Sequence, residues 1–484
     1  MALSASRLNL NRSILGKFVS NRTPIISFLN RNSIPFKSCI EKHQKALYSA
    51  SVLGDVNIPK DKPLTGIRVL DMSRVLAGPY CTMMLGDLGA EVIKIEHPER
   101  GDDTRSWGPP FMDYIGDFTK VSNPNNKLKP MYRSEGESIY YLSVNRNKKS
   151  VTVNLKDKGG QQLIRELAAK SDIVVENYLP GKLSALGLGY EDLKKVNEKL
   201  VYASISGYGH SGPFSKKPGY DLMIEAEAGL MYITGEQTGP PVKVGVAITD
   251  ITTGMTAHSA ILAALYNRVR TNKGQHVDAS LMATQLSTLV TIAYSYINKG
   301  IEARRWGSEH ATIVPYRNYD TKTEPITICC GNNGQFIALA SSLGLESLIS
   351  DERFLSNPLR IKNREALDDI IQARFLEISR DEALSLLNNK GVPLAPVNNM
   401  EQTFAHPQIE ARGLVTEINH PGIGPFKLVS PAVQFSETPL TIDLPPPMLG
   451  QHTRSVLNDI LGYSETKINQ LCQDGSITTF DYGF

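Results

Sequence analysis

From residue 64 onward, short apolar runs alternate with amphipathic ones. "GIRVLDM" (66–72), "EVIKIE" (91–96), "SVTVNL" (150–155), "DIVVEN" (172–177) and "LVYASIS" (200–206) are apolar stretches of strand length. Between them, "PYCTMMLGDLGA", "KGGQQLIRELAAKS" and "YEDLKKVNEK" read as helices, the first ended by Gly86 or Gly89. Strands that are apolar on both faces and alternate with helices predict a Rossmann-like α/β architecture, a parallel sheet covered on both sides. Ligands of such sheets sit beyond the C-terminal ends of the strands.

The pattern changes twice. A polar insertion rich in Pro and Gly occupies about 98–137, and residues 252–300 are predicted to be largely helical, with "HSAILAALYNRVR" and "TQLSTLVTIAYSYINK". From about 305 to 400 strands and turns precede short helices, as in "IVPYRNYDTKTEPITICCGNNGQF". Residues 401–447 look extended, and "GQHTRSVLNDILGY" is helical again. The resulting division is a leader and linker over 1–60, the first part of a large α/β domain over 61–300, a smaller α+β domain over 301–400, and a return segment over 401–484 whose final helix completes the large domain.

Charge sharpens the view of the leader. The formal net charge is +3, yet residues 1–50 hold eight basic residues and one acid, which leaves the rest of the chain mildly acidic. With no sustained basic run in that remainder, nucleic-acid binding is not expected. No apolar run approaches the roughly 20 residues of a membrane-spanning helix. "MALSASRLNLNRSILGKFVSNR" is rich in Ser and Arg, free of acids and apolar on one helical face. That composition fits an organelle transit peptide cut near 45–60, the alternative being a disordered basic tail, and the few scattered thiols suggest a reducing compartment such as the mitochondrial matrix. Cys39, Cys81, Cys329, Cys330 and Cys472 are too few and scattered for a disulfide framework, and they lack metal-ligand spacing, so no metal is expected. Cys329 and Cys330 are expected as buried small residues of one strand.

The chemistry-bearing candidates are few. Gly207-Tyr-Gly209-His-Ser-Gly212 follows a strand but precedes Pro213 and "FSKKPG". The helix N-terminus that would hold a pyrophosphate is missing, which argues against a nicotinamide site. His258 reads as a core or interface histidine. Asp250 stands between the strand-like "KVGVAIT" and the helical "ITTGMTAHSAILAAL". It is expected at or beside a helix N-cap, where Asp is common for structural reasons alone. The helix dipole and backbone N–H groups would keep it ionised and nucleophilic there, and the small neighbours Gly245, Ala247, Thr253 and Gly254 would let a substrate approach.

Seven ordered motifs carry a resemblance. "LTGIRVLDMSRVLAGPYCTMMLGDLGAEVIKIEHPERGDDTRSW" resembles the opening of the family III CoA-transferases, and "NRNKKSVTVNLK", "DIVVENYLPGKL", "VYASISGYGHSGP", "GYDLMIEAEAGLM", "DITTGMTAHSAILAAL" and "LGQHT" continue it over about 62–465. The resemblance implies that Asp250 is the catalytic nucleophile and that the large domain binds CoA. Its CoA contacts fall on Leu76, Ala77, His97, Val153, Asn154, Lys156, Asn177, Tyr178, Tyr220 and Asp221. Two basic positions of the family are Ala185 and Pro218 here, so Lys182 and Lys217 are expected to serve the phosphates.

The likeness further implies transfer of CoA from succinyl-CoA or a related thioester to a dicarboxylic acid such as glutarate or 3-hydroxymethylglutarate. CoA esters would be substrates, with no permanently bound cofactor, in a homodimer of interlocked rings. A dicarboxylate needs its distal charge matched. Arg105 and Arg317 are the first candidates, ahead of Arg304 and Arg305, and His310, Gly331 and Gly334 are further substrate-contact candidates. The Gly331–Gly334 stretch reads either as a glycine loop over the site or as a plain hairpin turn. The family also holds acyl-CoA racemases. Their base histidine is replaced by Tyr220 in Gly219-Tyr220-Asp221, and a phenol is a poor base at neutral pH. The alternatives are such a racemase or epimerase, and a catalytically inactive CoA-binding protein.

Overall fold

The computed structural model describes residues 62–116 and 136–482; the leader expected over 1–60 and Cys39 lie outside the described residues. The large sheet is built from β1 (Arg68–Asp71), β2 (Glu91–Glu96), β3 (Lys148–Thr152), β4 (Ile173–Glu176), β5 (Val201–Ser206) and β6 (His276–Ser280). All five pairings are parallel, in the order β3-β2-β1-β4-β5-β6. The order reverses beside β1, and there the crossovers leave on opposite faces, opening a crevice at the strand C-termini.

Successive residues of each strand point to opposite faces. Leu70, Ile93 and Val174 enter one core with Leu163 and Leu167 of α2 (Lys158–Ala169). Their neighbours Val69, Val92, Ile173 and Val175 enter another, with Cys81 and Leu85 of α1 (Ala77–Asp87) and Ala257, Ile261 and Ala264 of α4 (Ile248–Thr271). The first core is completed by Val456 and Leu457 of α8 (Thr453–Leu461) and Ile468 and Cys472 of α9 (Glu465–Gln473), so the chain end packs under the same sheet.

A separate apolar core belongs to β7 (Tyr316–Tyr319), β8 (Ile326–Cys329) and β9 (Leu394–Pro396), an antiparallel sheet backed by α7 (Asn333–Leu343) and further helices. Cys330 is buried there, while Cys329 at the strand end is half-exposed.

Several elements differ from the sequence pattern. The strand-like 243–249 forms no strand: residues 243–247 pair with none of the four sheets among the described residues, and Ile248 and Thr249 already belong to α4. Strand β6 interrupts the stretch expected to be helical; its pairing with β5 outweighs the weak local preference of "HVDAS". The helix expected over 284–299 is two, α5 (Leu281–Thr288) and α6 (Thr291–Lys299), parted where Val290 turns to φ +37°. Only Tyr190–Leu193 of the predicted 190–199 helix forms. The supposedly extended 401–447 contains a hairpin of β10 (Val415–His420) and β11 (Gly424–Val429).

Candidate active site

Beneath the crevice lies a buried ionic lattice. Asp71 closes β1 and accepts hydrogen bonds from Thr82 Oγ1 at 2.6 Å and Lys148 Nζ at 3.1 Å. Lys94 Nζ reaches Asp102 at 2.8 Å and the Ser73 carbonyl at 3.0 Å. Asp102 in turn accepts the N–H of Val75, a β-branched residue held at φ +72°. A left-handed valine is costly and persists only where its surroundings impose it. Here it turns the chain from β1 into Leu76 and the start of α1.

Against this turn packs α4. A Cβ on Gly254 would stand 2.6 Å from the Ala77 carbonyl oxygen, so glycine is what allows the two backbones to touch. Asp250 is the third residue of α4, inside its first turn rather than at the cap. The cap, Ala247, has no side-chain acceptor. Asp221, first residue of α3 (Asp221–Glu227), replaces it, accepting the N–H of Thr249 at 2.8 Å and of Asp250 at 3.2 Å.

Between the α1 turn, the loop after β4 and α4 lies a cavity of about 310 Å³. It collects Asp250 with Leu76, Ala77, Asn177, Tyr178, Lys182 and Tyr220. Three cations line it: Lys182, Lys217 and Arg74, a residue the sequence pattern did not single out. Arg74 pairs with Asp103 at 2.7 Å and lies over the Tyr178 ring at 5.2 Å, and Lys217 is paired with Glu227. Tyr140 was also missed. Burial, with Asp250 and Asp221 adding their charges, pushes its phenol up to about 12, which places it within electrostatic reach of Asp250. Arg74 stands inside the first quoted motif, two residues before Leu76, a signal that could have found it; Tyr140 stands in no such pattern, and only the packing of distant segments brings it in.

The electrostatics of Asp250 differ from expectation. Burial first, and then the like charge of Asp221, push its carboxyl up to about 7 instead of leaving it an ordinary acid. The helix terminus does not prevail, because its first-turn N–H groups are turned to Asp221. A carboxylate of that basicity is a stronger nucleophile once ionised, and half of it is ionised near neutrality.

The remaining candidates lie elsewhere. His97 follows β2, where Val153 extends the pairing by donating its N–H to Glu96 O at 2.9 Å. Val153 is buried, Lys156 is exposed, and the Asn154 amide donates to Gly475 O at 3.2 Å. Burial, then the Arg100 charge and more weakly Lys156, hold His97 below its usual value, so these bases share one neighbourhood at the strand ends.

The Arg105 side chain is 9% exposed, its guanidinium is engaged by Glu96 at 2.7 Å, Glu137 at 3.3 Å and Tyr141 Oη at 2.6 Å, and it does not line the cavity. Arg317 is bound by Glu309 at 2.9 Å. Arg305 donates to the carbonyls of Glu236 and Tyr232, and Arg304 covers the Trp306 ring. The His310 ring accepts the Thr312 N–H at 3.2 Å and packs on Tyr316. Gly331 and Gly334 form no hairpin; they flank the cap of α7, where Asn332 accepts the Gln335 N–H at 3.0 Å. None of these seven lines the Asp250 cavity.

The chain matches the sequence profile of CoA-transferase family III across residues 64–453. It belongs to that family. The transferase is 46% identical over 416 residues to the succinyl-CoA:glutarate CoA-transferase of Mus musculus, covering 86% of this chain and 90% of that protein. The corresponding Homo sapiens enzyme is 45% identical, over 90% of this chain and 93% of its own length. Among solved structures, a CAIB/BAIF family protein from Brucella suis superposes with a TM-score of 0.72 at 38% identity, covering 83% of this chain and all of the other. Family membership makes the transferase an enzyme that handles CoA thioesters. Among the described residues no cluster of His, Cys, Asp and Glu suited to a metal ion occurs, and no helix is long and apolar enough to cross a membrane.

Proposed function

We propose that the transferase moves CoA from succinyl-CoA to glutarate or a similar dicarboxylate, with Asp250 as the covalent carrier. The names of relatives at 45–46% identity support the acid pair. The observation that carries the mechanism is the place of Asp250: half-buried, raised to about 7, and facing a cavity lined by cations.

Ionised Asp250 attacks the thioester carbonyl; the C–S bond breaks, leaving a mixed anhydride and CoA thiolate. The thiolate attacks the aspartyl carbonyl and expels the donor as its carboxylate, so CoA is held as a thioester on Asp250. The acceptor carboxylate reverses both steps and leaves as its CoA ester. One thioester replaces another, so the exchange is nearly thermoneutral, and covalent catalysis divides one difficult step into two. Lys182, exposed on the cavity rim, takes the nucleotide phosphates, while Lys217 is held by Glu227. Arg74, the cavity's one guanidinium among the described residues, takes the place foreseen for Arg105 at the distal carboxylate. No histidine lines the cavity among the described residues, which leaves a racemase without its second base.

The active form is a homodimer of interlocked chains in the mitochondrial matrix. The basic leader supports the location. Apolar side chains on and beside α6, such as Val290, Tyr294 and Ile297, at 61%, 69% and 71% exposure, support a second copy covering them. Incubation with succinyl-CoA, then borohydride or hydroxylamine and peptide mass spectrometry, tests the mechanism. An adduct on the Asp250 peptide is expected, and none in Asp250→Ala. Release of the α-hydrogen into deuterated water without CoA exchange would sink the proposal in favour of the racemase.

A further inference from the structure

The glycine-rich loop after β5 contributes a histidine that the transfer chemistry leaves unused. His210 Nε2 is buried without a hydrogen-bond partner and points at Glu176 Oε1, 3.9 Å away. The His210 backbone N–H is fixed by Asp278 at 2.9 Å. Glu176 ends β4, and its side chain is only 5% exposed. Its other oxygen accepts the Tyr178 N–H at 2.8 Å. Ser204 of β5 also bonds to this carboxyl, and its hydroxyl lies 2.9 Å from His276 Nε2 on β6. The His276 ring stacks on Tyr190 at 5.3 Å and meets His210 edge-on at 5.1 Å.

This cluster borders a second cavity, of about 520 Å³, which shares the Leu179–Pro180 wall with the Asp250 cavity. The turn bound by Glu176 carries two residues of the CoA-side wall. Tyr178 faces the cavity, and Asn177 clasps Arg74 by accepting its N–H at 2.9 Å and donating to its carbonyl at 2.6 Å. The state of Glu176 is thereby transmitted to Tyr178, Asn177 and Arg74 together.

We propose that Glu176 is a positioning residue of the CoA cavity: its carboxylate fixes the Asn177–Tyr178 turn through the Tyr178 N–H, and the Ser204 hydroxyl steadies that carboxylate. The inference rests on the reading of that cavity as the CoA site. The groups facing Glu176 are Ser204 and Tyr202 on β5, His276 and Asp278 on β6, and His210 on the loop; Glu191 and Asp192 border the same cavity from the Tyr190–Leu193 turn. Burial, partly offset by the Ser204 and Tyr178 hydrogen bonds and aided by Asp278, pushes Glu176 up to about 7. Below that pH the protonated carboxyl is a poorer acceptor, and the turn loses its anchor.

The test is the affinity for CoA itself, by calorimetry between pH 6 and 8.5, together with KM and kcat for succinyl-CoA. The wild-type dissociation constant and KM should rise about fivefold as pH falls through 7. Glu176→Gln should bind CoA at pH 8 about fivefold more weakly than the wild type, and should keep only the part of the step that Asp250 contributes to both chains. The ligand's own titration is common to both chains and cancels in the comparison. Ser204→Ala, which removes a hydrogen bond to the carboxyl, should move the wild-type step to higher pH, and it decides the matter if the Gln chain does not fold. A Gln chain that binds CoA at pH 8 as tightly as the wild type, or an Ala chain in which the step does not move, overturns the inference. A wild type that binds CoA with the step but transfers none would overturn the transferase reading and leave this one standing.

Discussion

The carboxylate of Asp221 holds the backbone N–H of Asp250 at 3.2 Å, so one acid fixes the helix turn that carries the other. The arrangement has two opposed effects. Asp221 supplies the helix cap that Ala247 lacks, and its charge raises the carboxyl it positions. Glu225, one turn along α3 and fully buried, is itself pushed up by burial, with Asp221 contributing.

Activity should therefore follow the ionisation of Asp250. Its folded-state value is raised, so the nucleophile is lost as pH falls through about 7 and the acid limb of kcat/KM should lie there. Asp221→Asn keeps an acceptor for the two N–H groups and removes the like charge. A pH–rate profile of this variant should show the limb at lower pH; an unmoved limb would mean that burial alone sets it.

The raised carboxyl also costs stability at alkaline pH. The contribution is absent below the unfolded value near 4 and develops as pH rises through about 7. Asp250→Asn should accordingly melt above the wild type at pH 8, by on the order of 2 kcal/mol, and match it near pH 4. Thermal scans at the two pH values decide this.

Gly207 and Gly219 touch through their backbones: a Cβ on Gly207 would stand 2.6 Å from Gly219 Cα. The motif containing Gly207 thus serves to bring the Tyr220–Asp221 segment onto the end of β5. Gly207→Ala should displace the Asp221 cap and lower kcat by tenfold or more, on the order of 1–3 kcal/mol of overpacking. Retained kcat with a lowered melting point would show that the segment tolerates the shift.

Lys182 is exposed on the cavity rim, whereas Lys217 already answers Glu227. Lys182→Ala should raise KM for succinyl-CoA about fivefold at low salt, with the difference shrinking at 0.5 M salt and kcat little changed. A larger effect from Lys217→Ala would reverse the assignment.

Arg105→Ala should act on folding instead of on substrate affinity. It leaves Glu96 and Glu137 buried without their cation, a loss of about 3–5 kcal/mol. Poor soluble yield and a lowered melting point are expected. A well-folded variant with a raised KM for the dicarboxylate alone would return Arg105 to the site.

What the sequence determined by itself was local and repetitive. The apolar strands and amphipathic helices from 66 to 206 declare a parallel sheet, since each element's hydrophobic period already states which faces it must bury. Ordered motifs singled out Asp250 for the same reason: its helix and small neighbours are contiguous in the chain. Tertiary structure decided the rest. β6 exists because β5 offers a free edge, and Arg105, plausible as a substrate arginine in isolation, is enclosed by acids from segments far along the chain. The reactivity of Asp250 was decided the same way. A charge's free energy depends on everything within several ångströms of it, and here that includes Asp221, 29 residues away, which no reading of neighbours along the chain could place.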